Sequence, residues 1–305
     1  MVESLVVGYC THLESEGGSP KTIEWHRYSL RRFVCWLHDS AQPLDPNQWT
    51  PTTIRTYFLA LRQTKTAVGA PLSAHSIRSY ANSLRSFCRW LFLEEFTPRD
   101  VMERVKQPRA PRLVQPTFSA DEVRRMLGAI KGVGRNARRD EALVLFMLDT
   151  GARASEVCTM SETDMSWSQR IAKVYGKGAK ERYLPFSAAT MRAMQRYAVK
   201  ERRGEGAAFF QSEEGNALTP SGLLQLCKRL GHRTGVKAAP HKFRHTFAIT
   251  YLRNGGSVFA LQKTLGHTSL DMTLRYSALL TDDIAREHHE HSPVASLIGG
   301  SRRAN

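Results

Sequence analysis

The stretch from Val105 to Glu122, VKQPRAPRLVQPTFSADE, carries Pro108, Pro111 and Pro116 among basic residues. Each proline removes an amide donor and biases the residue before it toward extended backbone, so no helix is expected to run through the segment. The 305-residue chain therefore reads as two domains, 1–107 and 117–305, joined by a linker over 108–116. Each half is long enough to bury a core of its own. The linker stops where Ser119 and Glu122 have the spacing of a capping box, which predicts a helix start.

Lysine and arginine total 44 against 28 aspartates and glutamates, a formal net charge of +16. Residues 1–107 hold 13 basic and 10 acidic side chains, and the remainder holds 31 and 18. This excess is spread along the chain and not gathered in one tail, the electrostatic footprint of proteins that bind nucleic acid. Ribosome-associated and anionic-membrane proteins share the feature, so charge alone does not choose among them. A hydrophobic share of 41% excludes a disordered chain. The five cysteines, Cys10, Cys35, Cys88, Cys158 and Cys227, lie far apart with no C-x-x-C pair. They read as buried thiols in a reducing compartment, not as a disulfide frame or a zinc site. The opening MVESLVVGYC has neither the cationic start nor the apolar length of a signal peptide. No run approaches the roughly 18–20 apolar residues of a membrane span, so a soluble, cytoplasmic protein without a membrane partner is expected.

The first half reads as helices only. SPKTIEWHRYSLRRFVCWLH opens with a serine cap and Pro20, then sets Ile23, Leu30, Val34 and Leu37 on one face. Lys21, Trp25, Tyr28 and Arg32 form an outward row on the same helix. LSAHSIRSYANSLRSFCRWLFLEE has a fuller apolar stripe of Ile77, Tyr80, Ala81, Leu84, Phe87, Cys88 and Leu91. Its opposite face carries Arg78, Asn82, Arg85 and Arg89 with no acid among them. A plain solvated face is one reading; phosphate or groove contact is the sharper one, because ordinary surfaces mix in acids.

The second half is mainly helical with one β interruption. EALVLFMLDTGARASEVCTM reads as a buried helix, a stop at Gly151 and a second helix start. SQRIAKVYGKGAKERYLPF sets Ile171, Val174 and Tyr175, then Tyr183 and Leu184, around Gly176–Lys177–Gly178, a strand–turn–strand signal. Farther on, HKFRHTFAITYLRNGGSVFALQKTLGHTSLDMTLRYSALL gathers His241, Arg244, His245, His267 and Tyr276. His241 and His245 could share a helix face, but Lys242 stands where the H-E-x-x-H metal pattern needs a carboxylate. Together with Arg244 it would repel a divalent ion. An anion clamp is the better fit. Arg153 follows the Gly151 stop at a predicted helix start, where free amides also favour anions. Lys177 takes the tip of the hairpin. Any one of these residues alone would be ordinary surface or core; in this order they suit phosphoryl transfer to a protein hydroxyl.

On these motifs the chain resembles the tyrosine site-specific recombinases, the phage integrase family that includes Xer-type and transposon enzymes. TGARASE is similar to the family's first box, which implies Arg153 as first catalytic arginine and Glu156 as its supporting carboxylate. GKGAKERYLP resembles the β-hairpin that implies Lys177 as catalytic lysine, and HKFRHTFA the box that implies His241 and Arg244. LGHTSLDMTLRY resembles the last box, with His267 and the nucleophile Tyr276. Ala152 departs from the larger aliphatic residue the family often has there, a matter of packing. His245 reads as structural.

The resemblance implies a mainly α, two-domain, C-shaped clamp on DNA. A four-helix SAM-like core-binding domain is followed by a mostly helical catalytic domain with a small antiparallel sheet. It also implies strand cleavage and rejoining through a 3′-phosphotyrosyl link and a Holliday junction, with no metal, ATP or other cofactor. The expected partner is double-stranded DNA with inverted-repeat core sites, bound by a homo-tetramer or a hetero-tetramer with a related recombinase. In the family the C-terminal segment packs on a neighbouring protomer, and Val294, Leu297 and Ile298 form an apolar patch suited to that. A helix closing its own domain is the alternative, and His288, His289 and His291 are expected to be solvated. The chain starts directly with the core-binding half, which leaves no room for the arm-binding domain of lambda-type integrases. That points to a transposon, plasmid or Xer-type role.

Elementary chemistry agrees with those roles. A free tyrosine has a pKa near ~10, so only about 0.1% is phenolate at neutral pH. Cations around the scissile phosphate favour the ionised nucleophile and neutralise charge growing on the non-bridging oxygens. Guanidinium stays charged and grips phosphate oxygens in a fork. Lys177 can protonate the leaving 5′-hydroxyl, while His241 and His267 can orient the phosphate or shuttle protons. Two rivals stay open: a DNA-binding accessory protein on the same fold, and a topoisomerase-like enzyme that reseals within one duplex.

Overall fold

The computed structural model describes residues 2–67, 69–111, 116–131, 134–176, 181–203, 208–267 and 269–277. The chain divides into two compact units, Met1–Leu113 and Val114–Asn305.

The first unit is built from α1 (Val2–Ser15), α2 (Pro20–Asp39), α3 (Pro51–Gln63) and α4 (Ala74–Leu93), with one 3-10 turn at Pro46–Gln48. Hydroxyl caps set three of the starts, two of them, α2 and α3, with a proline at the first helical position. Ser19 Oγ accepts the Thr22 amide, Thr50 and Thr53 form a reciprocal cap, and Ser73 accepts the Ser76 amide. Ile23, Leu30, Val34 and Leu37 of α2 are buried, as are all seven residues of the α4 stripe. Leu30, Val34, Leu37 and the α4 stripe share a core with Trp49, Ile54, Tyr57 and Leu61, with the Phe33 ring edge-on to Tyr57 at 4.8 Å. Each such side chain stabilises the fold by about 1.5–3 kcal/mol when fully buried.

The second unit is arranged around α6 (Ala137–Thr150), whose Ala142, Leu143, Val144, Phe146 and Met147 are at most 1% exposed. A helix apolar on most of its circumference must be covered on several sides. Here α5 (Ala120–Ile130), α8 (Ala188–Lys200) and α10 (Pro240–Arg253) do this. The capping box at the start of α5 forms as its spacing predicts, with Glu122 accepting the Ser119 amide and Ser119 accepting that of Glu122. After α7 (Ala154–Thr159) comes an antiparallel sheet of β1 (Met165–Ser166), β2 (Ile171–Tyr175) and β3 (Glu181–Pro185) in that order. Ile171 pairs with Pro185 and Tyr175 with Glu181, so Ala172, Val174, Arg182 and Leu184 are buried. α9 (Pro220–Thr234) packs on α5, and α11 (Val258–Leu265) and α12 (Leu270–Ser277) close a smaller core with α10.

One cysteine departs from the expectation: Cys35 is exposed, because it falls on the outer face of α2, whereas Cys10, Cys88, Cys158 and Cys227 are buried. Burial pushes the Cys158 thiol up to about 11 and that of Cys227 to about 12, which suits inert core thiols. Among the described residues no helix is long and apolar enough to cross a membrane.

Candidate active site

Arg153 stands at the N-cap of α7 in extended backbone, φ −73° and ψ 150°. The chain reaches it through Gly151, which ends α6 in the left-handed region at φ 61°. A β-carbon at 151 would sit 2.4 Å from the Phe247 ring, so both conformation and space call for glycine. Glu156, at the third position of α7, reaches back: Oε2 accepts the Arg153 amide at 2.7 Å and Oε1 accepts Arg153 Nη1 at 2.9 Å. Arg153 Nη2 donates to the Gly266 carbonyl at 3.2 Å.

Arg244 lies on α10, one turn after His241, and is buried. Its Nη1 donates to the Gly151 carbonyl at 2.8 Å and its Nη2 to the Leu265 carbonyl at 2.7 Å. Both acceptors belong to helix ends, α6 and α11, where carbonyls lack helical partners and the dipole is negative. The two arginines thus share one support, the consecutive carbonyls 265 and 266. Burial, then the neighbouring Arg153 and Arg182 charges, lower the Arg244 guanidinium to about 10. It remains a cation at neutral pH.

The left-handed cap at Gly266 (φ 60°) ends α11 and turns the chain into His267. His267 Nδ1 lies 2.8 Å from Thr273 Oγ1 on α12, which orients the imidazole. Its ring stacks with Tyr276, centroids 6.1 Å apart and planes 11° from parallel. The His245 ring also lies against Tyr276, at 5.5 Å. Tyr276 itself is buried with Phe247, Leu261 and Leu265.

Four of the expected residues, Arg153, Arg244, His267 and Tyr276, are therefore brought together by the ends of α6 and α11. His241 is exposed at the first turn of α10. Its charge and that of Arg244 act on His245 after burial, and all three effects depress the His245 imidazole below its usual range. Lys177 lies outside the described residues, as do His288, His289, His291, Val294, Leu297 and Ile298.

Sequence reasoning passed over Arg182. It is buried on β3, with Nε donating to Glu156 Oε1 at 3.0 Å and Nη2 to Oε2. Burial alone would raise the Glu156 carboxyl, but the hydrogen bond and charge of Arg182, then the bonds from Arg153, hold it below the usual carboxylate range. The signal was present in the period of two: Leu184 points into the core, so the residue two before it does as well.

In the first unit, Lys21, Trp25 and Tyr28 of α2 are exposed, and Arg32 lies over the Tyr80 ring at 5.4 Å. Trp25 packs at 5.2 Å on Tyr80, a member of the apolar stripe of α4. On α4, Arg78, Asn82 and Arg89 are exposed. Arg85 differs: half-buried, it donates from Nη2 to the Val105 carbonyl at 2.6 Å and is engaged by the fold.

The model of the phage integrase family matches residues 116–282, and that of the phage integrase N-terminal SAM-like domain matches residues 6–95. Tyrosine recombinase XerA of Thermococcus kodakarensis is 29% identical over 295 residues, covering 95% of this chain and 95% of the relative. Tyrosine recombinase XerD of Corynebacterium glutamicum is 29% identical over 286 residues, covering 90% of this chain and 93% of the relative. Among solved structures, the Tn1549 transposon integrase in complex with transposon right end DNA is similar at a TM-score of 0.76 and 20% identity. That match covers 95% of this chain and 98% of the other, and it shows a shared fold. With both units matched in order and the catalytic unit matched across the motifs that carry the chemistry, the chain belongs to the phage integrase family and is a tyrosine recombinase.

Proposed function

We propose that this protein is a site-specific DNA recombinase that breaks and rejoins strands through a phosphotyrosyl intermediate. The observation that carries the reading is the shared support of Arg153 and Arg244 on carbonyls 266 and 265, immediately before His267 and with Tyr276 stacked on that histidine. A phosphate held by two such guanidinium groups has its non-bridging oxygens neutralised where charge grows in the transition state. Tyr276 Oη attacks the phosphorus, the bond to the 5′-oxygen breaks, and a phosphotyrosyl ester forms on the 3′ side. Lys177 supplies the proton to the leaving 5′-hydroxyl. His267, with Nδ1 held by Thr273, and His241 orient the phosphate and exchange protons with it. Attack by the 5′-hydroxyl of a partner duplex reverses the step and releases the tyrosine. The ester conserves the bond energy, so the cycle closes without ATP.

The relatives' names as recombinases and integrases support this over the two rivals. An accessory protein usually lacks a Tyr, Arg or Lys of the set, and none is missing here. In this reading the protein binds duplex DNA bearing inverted repeats, with Lys21, Arg32, Arg78, Asn82 and Arg89 of the first unit on the duplex. A tetramer, homomeric or with a related recombinase and held by exchange of C-terminal tails, would pair two sites in the cytoplasm at the nucleoid.

Selection of bound fragments from random duplex supplies the site for a test. Wild-type protein is expected to form a covalent adduct on that duplex and reciprocal products from paired sites, including in EDTA. Tyr276→Phe is expected to bind equally and form no adduct. An adduct from the phenylalanine variant, or a strict magnesium requirement, would sink the reading. Resealing within one duplex, without reciprocal products, would favour the topoisomerase-like rival.

A further inference from the structure

We infer that Arg182 is a positioning residue for this reaction: it holds Glu156 as a carboxylate, and Glu156 in turn fixes the aim of Arg153. The inference rests on reading the site as a phosphate clamp. Glu156 is 1% exposed and accepts four hydrogen bonds, two from Arg153 and two from Arg182. Both oxygens are thereby saturated. Arg182 provides the second cation for this buried carboxylate, and a buried acid stripped of a partner is strongly destabilised.

The arginine also reaches the other support of Arg153. A β-carbon on Gly266, whose carbonyl accepts Arg153 Nη2, would lie 3.0 Å from Arg182 Cδ and 3.7 Å from Arg153 Nη1. Arg182 therefore bonds one of the groups that hold Arg153 and lies beside the residue that carries the other. It sits one residue into β3, the strand that follows residues 177–180, so the same fork ties the start of that strand to Arg153. Its remaining nitrogen, Nη1, is buried without a hydrogen-bond partner. A guanidinium with an idle buried donor is a costly way to fill space, and an apolar side chain would fill it better. What only the arginine supplies is the positive fork on Glu156.

The test uses the full chain with Arg182→Met, Arg182→Lys, and Arg182→Met combined with Glu156→Gln. The substrate is a nicked duplex carrying the selected site. Arg182→Met is expected to bind that duplex like wild type and to form the adduct about 10²-fold more slowly at neutral pH. Its rate should fall further from about pH 8 to about pH 5, because burial now raises the Glu156 carboxyl until it takes up a proton. The double variant has no carboxyl to titrate and should lose that extra slope. Arg182→Lys keeps the charge without the fork and should fall between wild type and Arg182→Met.

A second readout needs no DNA. In wild type Glu156 stays ionised over this range and contributes a constant amount. In Arg182→Met its folded pKa rises, so the variant gains stability as pH falls. The melting-temperature gap to wild type is therefore widest above about pH 7 and narrows toward about pH 5, and it stays level for the double variant. Matching rates and pH profiles for wild type and Arg182→Met overturn the proposal. So does a uniform loss at every pH with a level melting gap, which makes Arg182 a folding residue only. If wild type forms no adduct, the functional reading fails instead, and the melting gap alone decides whether Arg182 holds Glu156.

Discussion

At Gly151 a single hydrogen atom in place of a side chain allows the left-handed turn, the close approach of Phe247 and the carbonyl that receives Arg244. Gly151→Ala is expected to lower unfolding free energy by about 1–3 kcal/mol. Its effect on cleavage should exceed what the lost folded fraction explains, which denaturant melts and single-turnover assays on the same sample will show. Arg244→Lys keeps a cation but cannot span the Gly151 and Leu265 carbonyls. A loss of about 10²-fold in adduct formation with unchanged DNA affinity is expected. Legibility at this scale followed motif order. Arg153, Arg244, His267 and Tyr276 were candidates in the sequence through motifs whose order resembles the family's boxes. Arg182 was passed over: its alternation with Leu184 marked it as inward-facing, but its partner Glu156 lies 26 positions away.

Among the elements, α5 and α10 are joined by a contact that no local pattern announces. The Phe118 amide donates to Thr246 Oγ1 at 2.9 Å, and Lys242 lies 4.3 Å over the Phe118 ring and 3.5 Å from Glu122. Thr246→Val would leave a buried amide without an acceptor, at a cost of about 1–3 kcal/mol, with faster hydrogen exchange at Phe118 as the local sign. Two histidines make stability depend on acid. Burial depresses His26, and burial with the His241 and Arg244 charges depresses His245. Each imidazole is favoured neutral in the fold, while the unfolded chain takes up a proton near pH ~6.5. The stability they support is complete above that value and declines as pH falls through it. His26→Gln and His245→Gln should each flatten part of the decline in melting temperature between about pH 7 and about pH 5. Helix starts at Pro20 and Ala120 were readable because their caps are local. The two-residue β1 was not, since a pair of residues has no period to detect.

For the whole molecule, charge and partition matter most. Arg78 and Arg89 are exposed on a face without acids, within a chain of net charge +16. Replacing either with alanine should weaken DNA binding similarly for all sequences and reduce the salt slope of log K by about 1, read from binding isotherms at several salt concentrations. The first unit has its own core around Phe33, Trp49, Tyr57 and Phe87. Three prolines mark the segment 108–116 in the sequence, and the two compact units meet along the chain between Leu113 and Val114. The way a buried arginine on β3 joins α7 to the end of α11 required coordinates, because it depends on three elements meeting.

Arg244 is aimed by oxygens of the main chain at 151 and 265, not by any neighbour's functional group. No point mutation can delete such an acceptor; it can only be displaced by rerouting the chain. Substitutions at those helix ends, such as at Gly151, should therefore act by bending the backbone and not by altering the chemistry of a side chain.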